Sequence, residues 1–448
     1  MARNIRTYSD ATLGEQYDRV LHKSGLEIFI YPKDRQTGCA FLSVAYGSID
    51  NQFYAKGKET RVSVPAGIAH FLEHKMFDNE DGSSVDEVFS RLGAEPNAAT
   101  SFSSTGYYFT CNEAIYQSLA ELLRFVTHPY FTDASVKKER GIILQELAMC
   151  EDDPYDRCYL AMLGGLYERH PVRMDVVGTE ASIKKITKAS LYQCYRAFYV
   201  PENMKLAVCG RVDTEKVLAI VDQFFGEKQP EASLPRRFYP KERKSSYQSR
   251  RILHMQVERP IFCIGFKDDV EKLDAKTRRR RQITAELLVG TLFSSSGALF
   301  RELYKKGVMT TPFSYGEEYD KNYAYCYIGG ECDDPELLLQ EIQHHFEKLK
   351  KQGIDRDAFE RRKKMLYASD VRMYDSTWEI TNALIDDALA GVELFEDAAL
   401  VSSISPKEAQ KLLCELFVER KMTFSLVLPP ETKNIHKEKE GLNFGSDH

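Results

Sequence analysis

A marked excess of either charge is missing from this chain. Its 61 Lys and Arg are interspersed with 67 Asp and Glu over 448 residues, giving a formal net charge of −6. Binding to a phosphate backbone needs a concentrated basic face, and none can be inferred, so nucleic acid is not an expected partner. The amino terminus, MARNIRTYSDATLGEQYDRV, lacks the apolar segment of a secretory leader. No later stretch approaches the roughly eighteen uninterrupted apolar residues of a membrane span. The expectation is a cytoplasmic protein with no membrane partner. None of the ten cysteines forms a C-x-x-C pair, which removes a zinc ribbon. In a long, leaderless chain without close pairings they read as reduced thiols, several packed in cores. A Walker-type glycine loop and a G-x-S-x-G elbow are both missing, and with them the signatures of phosphoryl transfer and serine hydrolysis.

What is present is a soluble, globular composition, 43% hydrophobic and 29% charged, in a chain too long for one ordinary core. Apolar alternation in LEIFIYP (26–32) and CAFLSVAYG (39–47) predicts two strands, followed by a helical segment opened by Pro65. A helix around SVDEVFSRLG, the strand-like NAATSFSS and TGYYFTC, and further helices through DTEKVLAIVDQFFG complete a first domain over residues 1–228. Residues 229–252, rich in proline and charge, read as an exposed linker. A second domain over 253–448 then repeats the order of elements, which points to an internal duplication of about two hundred residues. The final KEKEGLNFGSDH reads as a solvated tail.

The chemistry-bearing pattern lies in GIAHFLEHKMF. Each helical residue turns the chain by about 100°, so His70 and His74 lie about 40° apart on one face, with Glu73 on the same side. Two imidazoles so placed can grip one ion. Zinc accepts imidazole nitrogens together with a carboxylate and, at catalytic sites, keeps a position open for water. The run VKKERGIILQELAM offers Glu139 and Glu146, seven residues apart on one helical face, and either could supply the carboxylate. Glu73, poorly placed to share the ligand positions, has the natural role of general base.

Other candidates are weaker. His344 and His345 point about 100° apart on a helix and so cannot share an ion; both are expected in solvent. The acidic run CEDDPYD lacks calcium-loop spacing and is expected to be a loop after a helix.

With HFLEH at 70–74 and ERGIILQE at 139–146, the chain resembles the pitrilysin/insulinase metallopeptidases. The resemblance implies zinc, one ion per chain, held by His70, His74 and Glu146, with Glu73 catalytic and Glu139 a supporting carboxylate. It implies that Asn97 and Ala98, in PNAATS, lie on an edge strand that pairs with the backbone of a peptide substrate. VVGTEASIKKIT and FYVPENMKLAVCG match the segments closing the family's first domain, so the likeness covers most of residues 25–215. The implied fold is α+β: two similar mixed domains of antiparallel sheet packed with helices, as in mitochondrial processing peptidase, the second without a metal site.

The second half resembles the family more loosely, in ALFRELYKKG followed by TPFSYGEEY. Where many relatives carry an Arg and a Tyr that hold substrate and oxyanion, alignment on Gly307 gives Leu303 and Thr310, with Arg301, Tyr304 or Tyr315 as candidate substitutes. Bacterial members of this size often work as pairs. The expectation is therefore a zinc-dependent endopeptidase for extended oligopeptides, acting as the zinc-bearing subunit of a hetero-dimer with a paralogue that carries the Arg and Tyr. A homo-dimer is the alternative pairing. The alternative functions are a non-catalytic assembly subunit that keeps the fold, and a small-molecule hydrolase or lyase using the same motif, against which the two-domain length argues.

Overall fold

The computed structural model describes residues 5–55, 57–80, 82–226 and 234–430. The expected tail at 437–448, and residues 229–233 of the expected linker, lie outside them. The first half opens with β1 (Ile5–Asp10), β2 (Glu15–Leu21), β3 (Glu27–Pro32), β4 (Gly38–Val44), β5 (Gln52–Tyr54) and β6 (Arg61–Ser63). There follow α1 (Ile68–Lys75), α2 (Val85–Arg91), β7 (Ala94–Thr100), β8 (Thr105–Cys111), α3 (Ile115–Thr127), α4 (Asp133–Asp152) and α5 (Pro154–Leu166). Next come α6 (Glu180–Ile183), α7 (Lys188–Phe198), β9 (Met204–Gly210) and α8 (Thr214–Phe224). The second half comprises β10 (Arg236–Arg237), β11 (Arg250–His254), β12 (Ile261–Asp268), α9 (Ala275–Phe293), α10 (Ala298–Lys305), β13 (Ser314–Tyr319) and β14 (Ala324–Glu331). It closes with α11 (Pro335–Gln352), α12 (Arg356–Met373), α13 (Thr377–Ala390), α14 (Glu396–Ser403), α15 (Pro406–Leu416) and β15 (Met422–Leu428).

The strands form a seven-stranded sheet, β1-β2-β3-β9-β4-β8-β7, a five-stranded sheet, β11-β15-β12-β14-β13, and a small sheet, β10-β5-β6. In the large sheet β3 and β9 run parallel and every other pair is antiparallel. In the second, β11 and β15 are parallel and the rest antiparallel. The run β3-β9-β4-β8-β7 thus has the topology of β11-β15-β12-β14-β13, and the architecture is α+β with two similar halves.

Burial along the central strands shows how the halves join. All residues of β4 and all of β12 are buried, as happens only when both faces of a strand are covered. One face of each sheet packs on the helices of its own half. The other is covered from the opposite half. Cys158, Met162, Leu163 and Leu166 of α5 pack on Ile261, Cys263 and Val427 of the second sheet, while Ile380, Leu384 and Ile385 of α13 pack with Phe41, Ala207 and Cys209 of the first. Gly265 permits the close approach of α5, since a Cβ there would stand 2.2 Å from the Met162 sulfur.

Several expectations are corrected. The β1–β2 hairpin was not foreseen, because its strands carry mostly polar residues. The described part of the linker is tied to both halves: Arg237 pairs with Phe53 across β10–β5 and its Nε donates to Asp50, a carboxylate only 2% exposed, while residues 250–252 already belong to β11 and pair with β15 of the second sheet. Glu242 accepts the backbone N–H groups of Arg169 and His170. Proline and charge marked this segment as irregular, but they did not make it free. CEDDPYD is a helix junction, not a loop: α4 runs to Asp152, and Asp153 caps α5 by accepting from Tyr155 N and Asp156 N. His344 is exposed, but His345 is buried and its imidazole is held below its ordinary value by desolvation. The helical stretch Ala275–Lys305 is long and apolar enough to cross a membrane, but 67% of its most apolar window is buried inside the protein, as in a core helix.

Candidate metal centre

The site is built where α1 crosses α4. Helix α1 begins after Gly67, whose φ of 83° lies in the left-handed region that favours glycine. A Cβ at Gly67 would also stand 2.1 Å from the carbonyl oxygen of Val177, so the absence of a side chain seats the helix start against the 177–178 turn. Phe71, Leu72 and Met76 then anchor α1 in the first core. Helix α4 begins with a Thr132–Ser135 capping box, and its buried residues Val136, Ile143 and Leu147 form the stripe that packs inward. These anchors aim Glu139 and Glu146 at α1.

His70, His74 and Glu146 each present a ligand atom, all within 4.8 Å of one another, and no other group of three possible ligands is found among the described residues. His70 Nε2 lies 3.4 Å from Glu146 Oε1, and His74 Nε2 lies 3.5 Å from Glu146 Oε2. The ring centroids are 4.6 Å apart. Glu139 sits behind this group, with its Oε1 3.0 Å from His74 Nδ1. Glu73, 8% exposed, accepts a hydrogen bond from Thr100 Oγ1. The spacing alone left Glu139 and Glu146 as equal candidates; the structure puts Glu146 between the two Nε2 atoms and Glu139 at the far side of one ring.

The electrostatics favour a cation. Hydrogen bonding to His70 holds the Glu146 carboxyl below its usual range, and hydrogen bonding to His74 does the same for Glu139. Desolvation pulls His74 down, but its hydrogen bond to Glu139 and the charges of Glu73, Glu146 and Glu139 outweigh it and raise the imidazole. Glu146 Oε2 is buried without a hydrogen-bond partner among the described residues, a costly condition that a bound cation would relieve. Two imidazole nitrogens and a carboxylate, with a second carboxylate orienting one ring, fit zinc.

Asn97 and Ala98 lie on β7, the outer strand of the large sheet. Asn97 is exposed and Ala98 half-buried. Asn97 Oδ1 accepts the Ala98 N–H at 2.8 Å. Leu303 is fully buried in the second core, whereas Thr310 is exposed and accepts from Arg259. Arg301 and Tyr304 are exposed and Tyr315 half-buried. Thr100 was overlooked in the sequence, since nothing in PNAATS singles out its hydroxyl from its neighbours.

The second half carries a different set at the corresponding crossing of α9 and α12. Element order, and the buried positions 71, 72, 75 and 76 against 283, 284, 287 and 288, place His70, Glu73 and His74 opposite Gln282, Ala285 and Glu286. Buried Val136 and Phe359 likewise place Glu139 and Glu146 opposite Arg362 and Ser369. The His74–Glu139 contact is replaced by a Glu286–Arg362 ion pair at 3.5 Å. Gly290 makes room for that guanidinium, since a Cβ there would stand 2.2 Å from its Nε.

Comparison with known proteins gives a consistent picture. The profile described as "Insulinase (Peptidase family M16)" matches residues 63–180, and that described as "Peptidase M16 inactive domain" matches residues 185–366. The zinc protease YmfH of Bacillus subtilis strain 168 is 34% identical over 414 residues, covering 91% of this chain and 95% of that protein. YmxG, a zinc protease of the same organism, is 26% identical over 69% of this chain and 75% of its own length. Among solved structures, a putative M16-like peptidase from Alicyclobacillus acidocaldarius superposes with a TM-score of 0.86 at 29% identity, covering 96% of this chain and 99% of that one. A protease from Helicobacter pylori superposes with a TM-score of 0.81 at 20% identity, covering 93% and 100%, which is a likeness of fold alone.

Proposed function

This chain belongs to the insulinase family of peptidases, family M16, and from that premise we propose that it is a zinc-dependent endopeptidase for extended oligopeptides. The observation that carries the reading is the convergence of His70, His74 and Glu146 within 4.8 Å, with the Glu73 carboxylate on the same helix as the histidines. His70 and His74, through Nε2, and Glu146 would hold one zinc ion, and Glu139 would fix the tautomer and orientation of His74. Bound there, zinc supplies Lewis acidity, polarising a scissile carbonyl and bringing the acidity of a water near neutrality. Glu73 accepts the proton of the attacking water and passes it to the leaving amine, so no covalent intermediate with the protein is needed. An extended peptide adds as a further strand on the open side of β7, where main-chain hydrogen bonds give affinity with little dependence on side chains.

The chain acts as the zinc-bearing half of a two-subunit enzyme. Supporting this, the position that carries an Arg in many relatives is Leu303, sealed in a core, and the position of the Tyr is Thr310, a side chain too short to reach far. The test is cleavage of a quenched peptide library by the chain alone and after mixing with a paralogue encoded beside it. Cleavage is expected only in the mixture, and Glu73→Gln in this chain should abolish it. Full activity of the chain alone would overturn the divided site; full activity of the Glu73→Gln mixture would overturn the peptidase assignment.

A further inference from the structure

A proton carrier works best when its carboxylate is held in one orientation, and for Glu73 the holding group comes from another element. Thr100 is the last residue of β7, fixed in register opposite Thr105 of β8. Its Oγ1 donates to Glu73 Oε2 at 2.5 Å. A hydroxyl has one proton to give, and the other hydroxyl nearby does not compete for it as a stronger acceptor. Thr105 Oγ1 lies farther away, 3.4 Å from Thr100 Oγ1, and is itself oriented toward the Tyr46 carbonyl, to which it donates at 2.8 Å. Thr105 is fully buried, which anchors this end of the β7–β8 pair in the core. Among the described residues the hydrogen bond from Thr100 engages Oε2, and none is made to Glu73 Oε1.

We propose that Thr100 is a positioning residue for the Glu73 carboxylate, its hydroxyl holding Oε2 so that Oε1 faces the reacting groups. The proposal rests on the peptidase reading above and adds a residue to it. In the step concerned, the water oxygen bonds to the scissile carbonyl carbon and its proton passes to Glu73 Oε1. The C–N bond then breaks with its electron pair on nitrogen, which takes the proton back from Oε1 and restores the carboxylate. Thr100 gives up no proton overall. Because it lies on β7, the strand proposed to receive substrate, its effect on orientation must be separated from any effect on binding.

The experiment compares Thr100→Val, which keeps the shape and removes the hydroxyl, with Thr100→Ser, which keeps the hydroxyl, in the preparation in which the wild type is active. Zinc per chain, the thermal midpoint and the peptide affinity measured in a Glu73→Gln background are read beside kcat and KM. Thr100→Val is expected to lower kcat about ten- to hundred-fold, part of the 10²–10⁴ that general acid–base catalysis typically contributes. KM, zinc content and midpoint should stay unchanged, Thr100→Ser should stay close to wild type, and Thr100→Val should cost nothing further once Glu73 is Gln. Wild-type kcat in Thr100→Val overturns the proposal while leaving the peptidase reading intact. So does an equal loss in Val and Ser variants, or a loss confined to KM or zinc content. Undiminished cleavage by Glu73→Gln alone would overturn both.

Discussion

The two nitrogens of His74 face different carboxylates, Nδ1 toward Glu139 at 3.0 Å and Nε2 toward Glu146 at 3.5 Å. Among the described residues His70 has only one such partner: its Nε2 faces Glu146, and its Nδ1 is buried without a hydrogen bond. The two rings are therefore unequal: of the two Nδ1 atoms, only that of His74 meets a carboxylate among the described residues. Glu139→Gln is expected to lower zinc affinity about ten- to hundred-fold with the fold retained, measured by competition with a chromogenic chelator. An unchanged affinity would mean that packing alone orients the ring. At this scale H-x-x-E-H was legible because helical spacing alone brings its side chains to one face. The division between Glu139 and Glu146 was implied by the family resemblance but not by the spacing, because two positions seven apart on a helix share an azimuth and differ only in height, which the packing of α4 on α1 decides. Thr100 was invisible for a related reason: a strand residue's partner across a layer leaves no periodic trace in the sequence.

Between residues and domains, the elements carry the site through their ends. Helix α1 starts at Gly67, whose φ of 83° and closeness to the Val177 carbonyl leave no room for a side chain. Gly67→Ala is expected to destabilise the protein by more than about 1 kcal/mol and to weaken zinc binding as well, because shifting the helix start moves His70 and His74 relative to Glu146. Urea unfolding and zinc titration of the same variant check both effects, and a loss of stability with zinc affinity intact would show that α1 tolerates the shift. The apolar elements, β3, β4, β8 and the helices bearing the motif, were readable from alternation and helical spacing. The β1–β2 hairpin was not, since IRTYSD and EQYDRVL bury few of their residues. Composition also misled at 234–249, where Asp50 and the backbone of 169–170 hold a polar segment in place through Arg237, Tyr239 and Glu242.

Across the whole molecule, duplication explains both what the halves share and what they exchange. Each contributes a helix, α5 or α13, to the far face of the other's sheet, so the buried strands β4 and β12 are each completed by the opposite half. Repetition of element order was visible in the sequence. The exchange was not, because an apolar helix does not name the sheet it will cover. One half keeps two imidazoles and a carboxylate in mutual reach, and the other has Glu286 and Arg362 at the same crossing, a pair that neutralises itself and offers a cation little. Among the described residues, then, only the crossing of α1 and α4 offers a set of groups fit for the metal and its chemistry. Native mass spectrometry of zinc per chain in the wild type, Glu73→Gln and Glu146→Gln tests this most directly. One zinc in the wild type and in Glu73→Gln, with loss in Glu146→Gln, is the predicted result; equal zinc in all three, or none in the wild type, would contradict it.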